Sequence, residues 1–252
     1  MLLIIFARLN GGLTMNIREL RNMFPALSRT VYGKQLVYFD NAATAQRSQS
    51  VIDKWTQLTI GANANIHRAV HKLAVDATDE YESTRDAVKE YINAAAREEI
   101  VFTSGTTGSI NLVAFSFGET FVNKGDEIIV SESEHHSNIV PWQMLCQRKG
   151  AVLRVLHVDE DGHLNLKELK SLLNPKTRIV AVTQISNVLG ILNPVKEIVS
   201  ICHSVGCPVL IDGAQGMVHE GVDVQDVDCD FYAFSGHKLY AACLLYTSDA
   251  AD

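Results

Sequence analysis

One alternation narrows the fold more than any other feature of this chain. From residue 100 onward, short runs rich in β-branched and aromatic residues are separated by stretches whose apolar residues recur at helical spacing. The predicted strands are Ile100–Thr103, Glu127–Ser131, Leu153–His157, Arg178–Gln184, Val209–Asp212 and Asp230–Ser235. The stretches Ile110–Phe117, Leu166–Leu173 and Val195–Val205 between them suit helices. Near-continuous apolar strands alternating with helices build a mostly parallel sheet covered by helices on both faces, so the fold class is α/β. Before residue 100, residues 16–30 read as a short helix ending near Phe24-Pro25, and Leu36–Asp40 as a short strand. Val51–Ile60 and Ala74–Asn93 carry helical periodicity.

A second pattern sits on the first. SGTTGS follows Ile100–Thr103, SEHHSN follows Glu127–Ser131, SNVLG follows Arg178–Gln184, DGAQG overlaps the end of Val209–Asp212, and SGHK ends the last strand. Ligands of open α/β sheets bind outside the carboxyl ends of strands, so five polar clusters converging there predict a site.

Each cluster has a chemistry and a plainer alternative. In Ser104–Ser109, glycines, free helix N–H groups and the hydroxyls of Thr106 and Thr107 suit a phosphate; the alternative is an ordinary helix cap. The run is neither a Walker loop nor GxGxxG. Asp212 ends a buried strand and needs a partner, such as a protonated ring nitrogen of the kind pyridoxal 5'-phosphate (PLP) carries; the alternative is a turn cap. Gln215 is placed to reach that ring's phenolic oxygen. Lys238 at a strand end suits Schiff-base chemistry, with Ser235 and His237 as phosphate partners; a lone lysine is otherwise a solvated surface residue. Glu134-His135-His136 lacks a third ligand at metal spacing, and His135 reads better as a ring stacked on an aromatic cofactor than as a surface histidine. His67 and His71 have the HxxxH spacing of a helix face, which also makes a metal pair conceivable. No metal site is predicted.

Composition removes other classes. The 252 residues are 47% hydrophobic with a net charge of −7, and no basic stripe predicts nucleic-acid or membrane-surface binding. Five scattered cysteines with no CxxC pair point to reduced thiols and a cytoplasmic protein rather than a disulfide framework or zinc site.

Both ends read as foreign to the fold. Residues 1–14 (MLLIIFARLNGGLT) carry an apolar run too short to span a bilayer and lack a signal-peptide cleavage site, so Met15 reads as the native start. Asn10-Gly11-Gly12 suits a translated ribosome-binding stretch. Residues 241–252 read as an artefactual tail, Cys243 to Asp252 resembling a translated sequencing adapter. The expected organisation is then a segment 15–35 and a large domain 36–240.

Taken together, the runs YFDNAATAQ, ANIHRAVH, FTSGTTGSINLVA, SEHHSNIVPWQMLC, SNVLGILNP, VLIDGAQG and DCDFYAFSGHKLY make the chain from about Arg18 to Tyr240 resemble the class II cysteine desulfurases of the SUF type. The resemblance implies a PLP-dependent transferase of fold type I, a homodimer that takes sulfur from L-cysteine, leaves alanine, and passes the sulfur through an acceptor protein to iron–sulfur cluster assembly. Related enzymes share many of these residues, so a selenocysteine lyase acting on L-selenocysteine, or another class-V aminotransferase-like PLP enzyme, is the alternative; a non-catalytic PLP-binding fragment is a third reading, and the chain as written is expected to be inactive. Carried over by position, Lys238 is similar to the Schiff-base lysine, which also moves the substrate α-proton, and His135 to the stacked histidine. Asp212 matches the aspartate on the ring nitrogen and Gln215 the glutamine near the phenolic oxygen. Thr107, Ser235 and His237 match phosphate ligands, Asn187 an asparagine on the cofactor or substrate side, and His67 a histidine near the site mouth. The chain departs from the family after Tyr240, where SGHKLY is followed by Ala241-Ala242. The family's nucleophilic cysteine, substrate-carboxylate arginine and small C-terminal domain lie beyond that point.

Overall fold

The computed structural model describes residues 16–68 and 70–241. The predicted extension 1–14, the start at Met15 and the tail from residue 242 lie outside the described residues. Two compact units divide the chain, Phe102–Ser235 in one and the residues up to Val101 with those from Gly236 in the other.

The unit that includes the N-terminal region opens with α1 (Ile17–Asn22), capped by Asn16, whose side chain accepts the Arg18 N–H at 3.0 Å. A single 3₁₀ turn, Pro25–Ser28, follows, because proline cannot extend the helix. The two-residue strands β1 (Thr30–Val31) and β2 (Lys34–Gln35) form a hairpin whose turn residues, Tyr32 (φ 52°) and Gly33 (φ 74°), both take positive φ, the twist a tight hairpin needs. Helices α2 (Gln49–Gly61) and α3 (Lys72–Ile92) carry the predicted periodicity. Asn93 ends α3 in the left-handed conformation (φ 56°).

Leu36–Asp40, predicted as a strand, is not one. Among the described residues no strand pairs with it; the Tyr38 hydroxyl instead donates to the Asp40 and Thr44 carbonyls at 3.2 and 2.9 Å. Ile100–Thr103 is likewise not a strand. The Ile100 N–H closes a 3₁₀ turn on Arg97 and the Ile100 carbonyl accepts from the Arg85 guanidinium. β-branched composition marks a segment that tolerates extended backbone, but a strand also needs a ladder partner.

The other unit contains α4 (Thr106–Phe121), β3 (Glu127–Ser131), α5 (Val140–Lys149), β4 (Val152–Leu156), α6 (Leu166–Leu172), β5 (Thr177–Thr183), α7 (Val195–His203), β6 (Val209–Asp212), the single turns α8 (Gly216–His219) and α9 (Val224–Val227), and β7 (Phe231–Ala233). The strands form one parallel sheet in the order β4-β3-β5-β6-β7. Side chains alternate across it with period two. Ile129, Val180, Val182, Val209 and Ile211 pack with Leu169 of α6 and with Ile198, Val199 and Cys202 of α7. Ile128, Val130, Ile179, Ala181 and Leu210 pack on the opposite face with Ile110 and Ala114 of α4 and with Trp142 and Leu145 of α5. Both faces of β3, β5 and β6 are therefore buried, which is why these strands show no polar alternation.

The strand order also locates a crevice. The chain runs outward from β3 to β4, then crosses back to place β5 on the other side of β3. Helix α5, after β3, covers one face, and α7, after β5, covers the other. The loops leaving β3 and β5 diverge, and this is the position at which open α/β sheets bind ligands.

Candidate active site

At the start of α4, Gly105 occupies the N-cap with φ 90°, a backbone region glycine enters without steric cost. A Cβ there would lie 3.2 Å from Ser235 Oγ. Ser235, buried just past β7, accepts the Thr106 N–H at 2.8 Å and lies 2.7 Å from Thr106 Oγ1. The Thr103 hydroxyl donates to the Gly105 carbonyl at 3.0 Å. Helix geometry leaves the N–H groups of Thr107 and Gly108 without acceptors inside α4, and the helix dipole adds positive potential there. Thr107 itself is exposed. This end of α4 is donor-lined, rigid and free of side-chain bulk at Gly105, a good fit for a phosphate.

Asp212 ends β6 only 2% exposed. Its Oδ1 accepts the Ala214 N–H at 2.9 Å. The next residues are tied to both neighbouring strands, Gly213 N–H to the Ala233 carbonyl at 2.8 Å and the Asp212 carbonyl to Gln184 N–H at 2.9 Å. Gln215, 5% exposed, opens α8. A buried carboxylate held this firmly at a strand end suits a protonated ring nitrogen, so the residues present fit PLP.

Two of the glycines in DGAQG have a steric reason. A Cβ on Gly213 would lie 2.1 Å from Tyr232 Cζ, and one on Gly216 2.2 Å from Gln184 Oε1. The Tyr232 hydroxyl donates to that same Gln184 oxygen, and Gln184 Nε2 donates to the Gly221 carbonyl at 3.3 Å. The pair wedges against the backbone carrying Asp212 and Gln215. Sequence reasoning passed over Gln184 and Tyr232; two glycines within four residues after a strand were the available signal.

After β3 the chain turns through Glu134 and His135. His135 is exposed, and its Nδ1 accepts the Ser137 N–H at 3.1 Å, which leaves the ring proton to Nε2. Glu134 is buried. Its Oε1 accepts from the Ser131 hydroxyl and, at 2.8 Å, from the Thr183 N–H; its Oε2 accepts from Asn138 Nδ2 at 2.7 Å. Burial pushes its carboxyl up to about 8, the negative charge of Asp212 adds to the rise, and the three donors oppose it. In the sequence Glu134 reads only as part of a metal set, because nothing in a polar loop marks one acid as buried.

Asn187 is exposed at the tip of a small hairpin that Ile185 and Leu192 close by an antiparallel bridge. The Ser186 hydroxyl accepts the Leu189 N–H at 3.2 Å across its base.

The remaining predicted residues belong to the other unit. Lys238 ends the 3₁₀ turn Gly236–Lys238 and is half-buried, three residues after Ser235 in sequence. The His237 carbonyl accepts the Ala45 N–H at 3.2 Å. Burial holds the His237 imidazole below its ordinary value, the Lys238 charge helps, and a bond to the Ala43 backbone opposes. His67 adopts φ 61°, donates its N–H to Thr78 Oγ1 at 3.1 Å, and places Nε2 3.3 Å from Glu82 Oε1. His71 caps α3 by accepting the Ala74 N–H at 3.3 Å, so the two histidines do not share a helix face.

The described thiols lie in surroundings that disfavour the thiolate. Burial pushes Cys146 up to about 11 and each of Cys202, Cys207 and Cys229 up to about 12. Among the described residues no helix is long and apolar enough to cross a membrane.

Comparison with known proteins identifies the fold and the family. The chain is 51% identical over 224 residues to a cysteine desulfurase of Pectobacterium carotovorum, an alignment covering 89% of this chain and 55% of that protein. The crystal structure of the Escherichia coli cysteine desulfurase CsdA, in an S-sulfonic acid form, superposes with a TM-score of 0.80 at 41% identity, over 90% of this chain and 55% of that one. An apo cysteine desulfurase from Thermococcus onnurineus gives a TM-score of 0.81 at 36% identity, over 89% and 54%. The chain thus spans about half the length of the relatives it matches. The α/β architecture predicted from the strand–helix alternation is the one these structures share, and the family description Aminotransferase class-V matches residues 37–247. The chain belongs to the aminotransferase class-V family.

Proposed function

We propose that this chain forms the cofactor-binding part of a PLP-dependent cysteine desulfurase that takes sulfur from L-cysteine and leaves L-alanine. The observation that carries the reading is Asp212, a carboxylate 2% exposed and backbone-anchored at the carboxyl end of a buried parallel strand. The relatives of about 50% identity support the same activity.

Bound PLP supplies an electron sink for the pair left at the substrate α-carbon. Asp212 holds the proton on the ring nitrogen, and Gln215 donates to the phenolic oxygen. His135, with its proton on Nε2, would face the ring. Thr106, Thr107, Ser235 and His237 hold the phosphate, Thr107 and its neighbours through main-chain N–H groups at the start of α4. Lys238 would anchor the cofactor through Nζ and would be the base that moves the proton at the substrate α-carbon. Asn187 and His67 act on the substrate side. The sulfur-accepting thiol is none of Cys146, Cys202, Cys207 or Cys229, since a thiol held protonated is a poor nucleophile. The reading also makes the protein a cytoplasmic homodimer that hands its sulfur to an acceptor protein for iron–sulfur cluster assembly.

The test is a titration of the purified protein with PLP, followed by visible absorption, beside Lys238→Ala. The wild type gains a shifted visible band that Lys238→Ala lacks. A wild type with no shifted band, or a variant that retains it, contradicts the proposal.

A further inference from the structure

We propose that Glu134 is a positioning residue that fastens the His135 turn to the carboxyl end of β5, and that it does so because both of its oxygens must accept hydrogen bonds. The inference rests on the PLP reading for its consequence, since it concerns how the residues proposed to face the ring are held.

The ladder between β3 and β5 pairs Val130 with Ala181, and β3 ends at Ser131 while β5 continues to Thr183. Beyond the last rung, the Thr183 N–H would face the crevice unpaired. Glu134 Oε1 takes it at 2.8 Å, so a side chain replaces the missing strand. Thr183 is also the register partner of Asp212. One carboxyl group therefore joins the turn bearing His135 to the strand position beside Asp212, at the point where the chain reverses direction across the sheet.

The second oxygen is constrained from further away. Trp142 is fully buried, and its indole N–H donates to Asn138 Oδ1 at 3.0 Å. That bond fixes which end of the Asn138 amide is which, so Asn138 Nδ2 must donate, and Glu134 Oε2 receives it at 2.7 Å. An amide at position 134 offers one acceptor and an NH₂ group. In either orientation it sets N–H against N–H, with Asn138 or with Thr183. A buried carboxyl kept only for its shape would be replaced by glutamine at no loss; this one would not.

A charge swap separates geometry from charge. In Glu134→Gln combined with Asn138→Asp, the glutamine oxygen still accepts from Thr183 and Ser131, its NH₂ donates to the new carboxylate, and that carboxylate still accepts from Trp142. Glu134→Gln alone should weaken PLP binding about ten- to a hundred-fold and diminish the visible circular dichroism of the bound cofactor. The double variant should return the dissociation constant to within about threefold of wild type and restore the dichroism. A Glu134→Gln protein indistinguishable from wild type overturns the proposal, and so does a double variant as poor as the single one. If Glu134→Gln does not fold, the double variant decides by the same two criteria. Should wild type bind no PLP, the cofactor reading fails, and the His135 ring resonances of the cofactor-free proteins take over. Signals displaced in Glu134→Gln and restored in the double variant support the positioning role, and unchanged signals reject it.

Discussion

Ser235 and Glu134 solve the same local problem in different ways. Each buries an oxygen where a backbone N–H would otherwise lack a partner, Ser235 for Thr106 and Glu134 for Thr183. The serine is neutral, whereas the glutamate is ionisable and sits in the field of Asp212, which makes its contribution pH-dependent. Its folded value of about 8 lies above the ordinary 4.5. Between these values the folded chain binds more protons than the unfolded one, so the stability due to this group falls as pH rises from 4.5 to about 8 and then levels off. Urea midpoints of the cofactor-free protein, followed against pH beside Glu134→Gln, should show the wild type losing ground relative to the variant across that window. Parallel curves would mean that Glu134 ionises as an ordinary carboxyl.

Elements repeat this division between what a local pattern announces and what tertiary contact decides. Val209–Asp212 matches its predicted span, and Leu153–His157 and Arg178–Gln184 each shift by one residue, because apolar runs bounded by turn residues are read directly. Asp212 is at the strand end where the sequence puts it. Leu36–Asp40 and Ile100–Thr103 failed as strands because pairing is a property of the partner, not of the segment. Four residues after Glu134, Asn138 lies between it and Trp142, but that spacing has no meaning until α5 packs on the sheet. The wedge of Tyr232 and Gln184 is similar, since only the folded chain brings residues 48 positions apart together. Its prediction is steric. Gly213→Ala drives a Cβ into a ring that its own hydroxyl anchors, and should cost about 3 kcal/mol in denaturant unfolding. Gly221→Ala, at φ 72° with no atom within 4 Å of the added Cβ, should cost only about 1 kcal/mol. Equal losses would contradict the wedge.

At the scale of the molecule, the sheet is a platform whose carboxyl edge carries the proposed site and whose central strands are covered on both faces by helices. The donor-lined start of α4, the buried Asp212 and the diverging loops after β3 and β5 all belong to the unit Phe102–Ser235, while Lys238 stands three residues past its end. Cys146, Cys202 and Cys207 are buried and Cys229 is partly buried, and burial raises all four thiols, so the sulfur chemistry proposed for the whole protein relies on a thiol other than these. The central claim is that Lys238 holds PLP, and the most direct measurement is chemical. The protein is incubated with PLP, reduced with borohydride, digested and mapped by mass spectrometry. The account predicts one phosphopyridoxyl group, on the peptide containing Lys238. Its location on another lysine, or no modified peptide at all, would contradict the account.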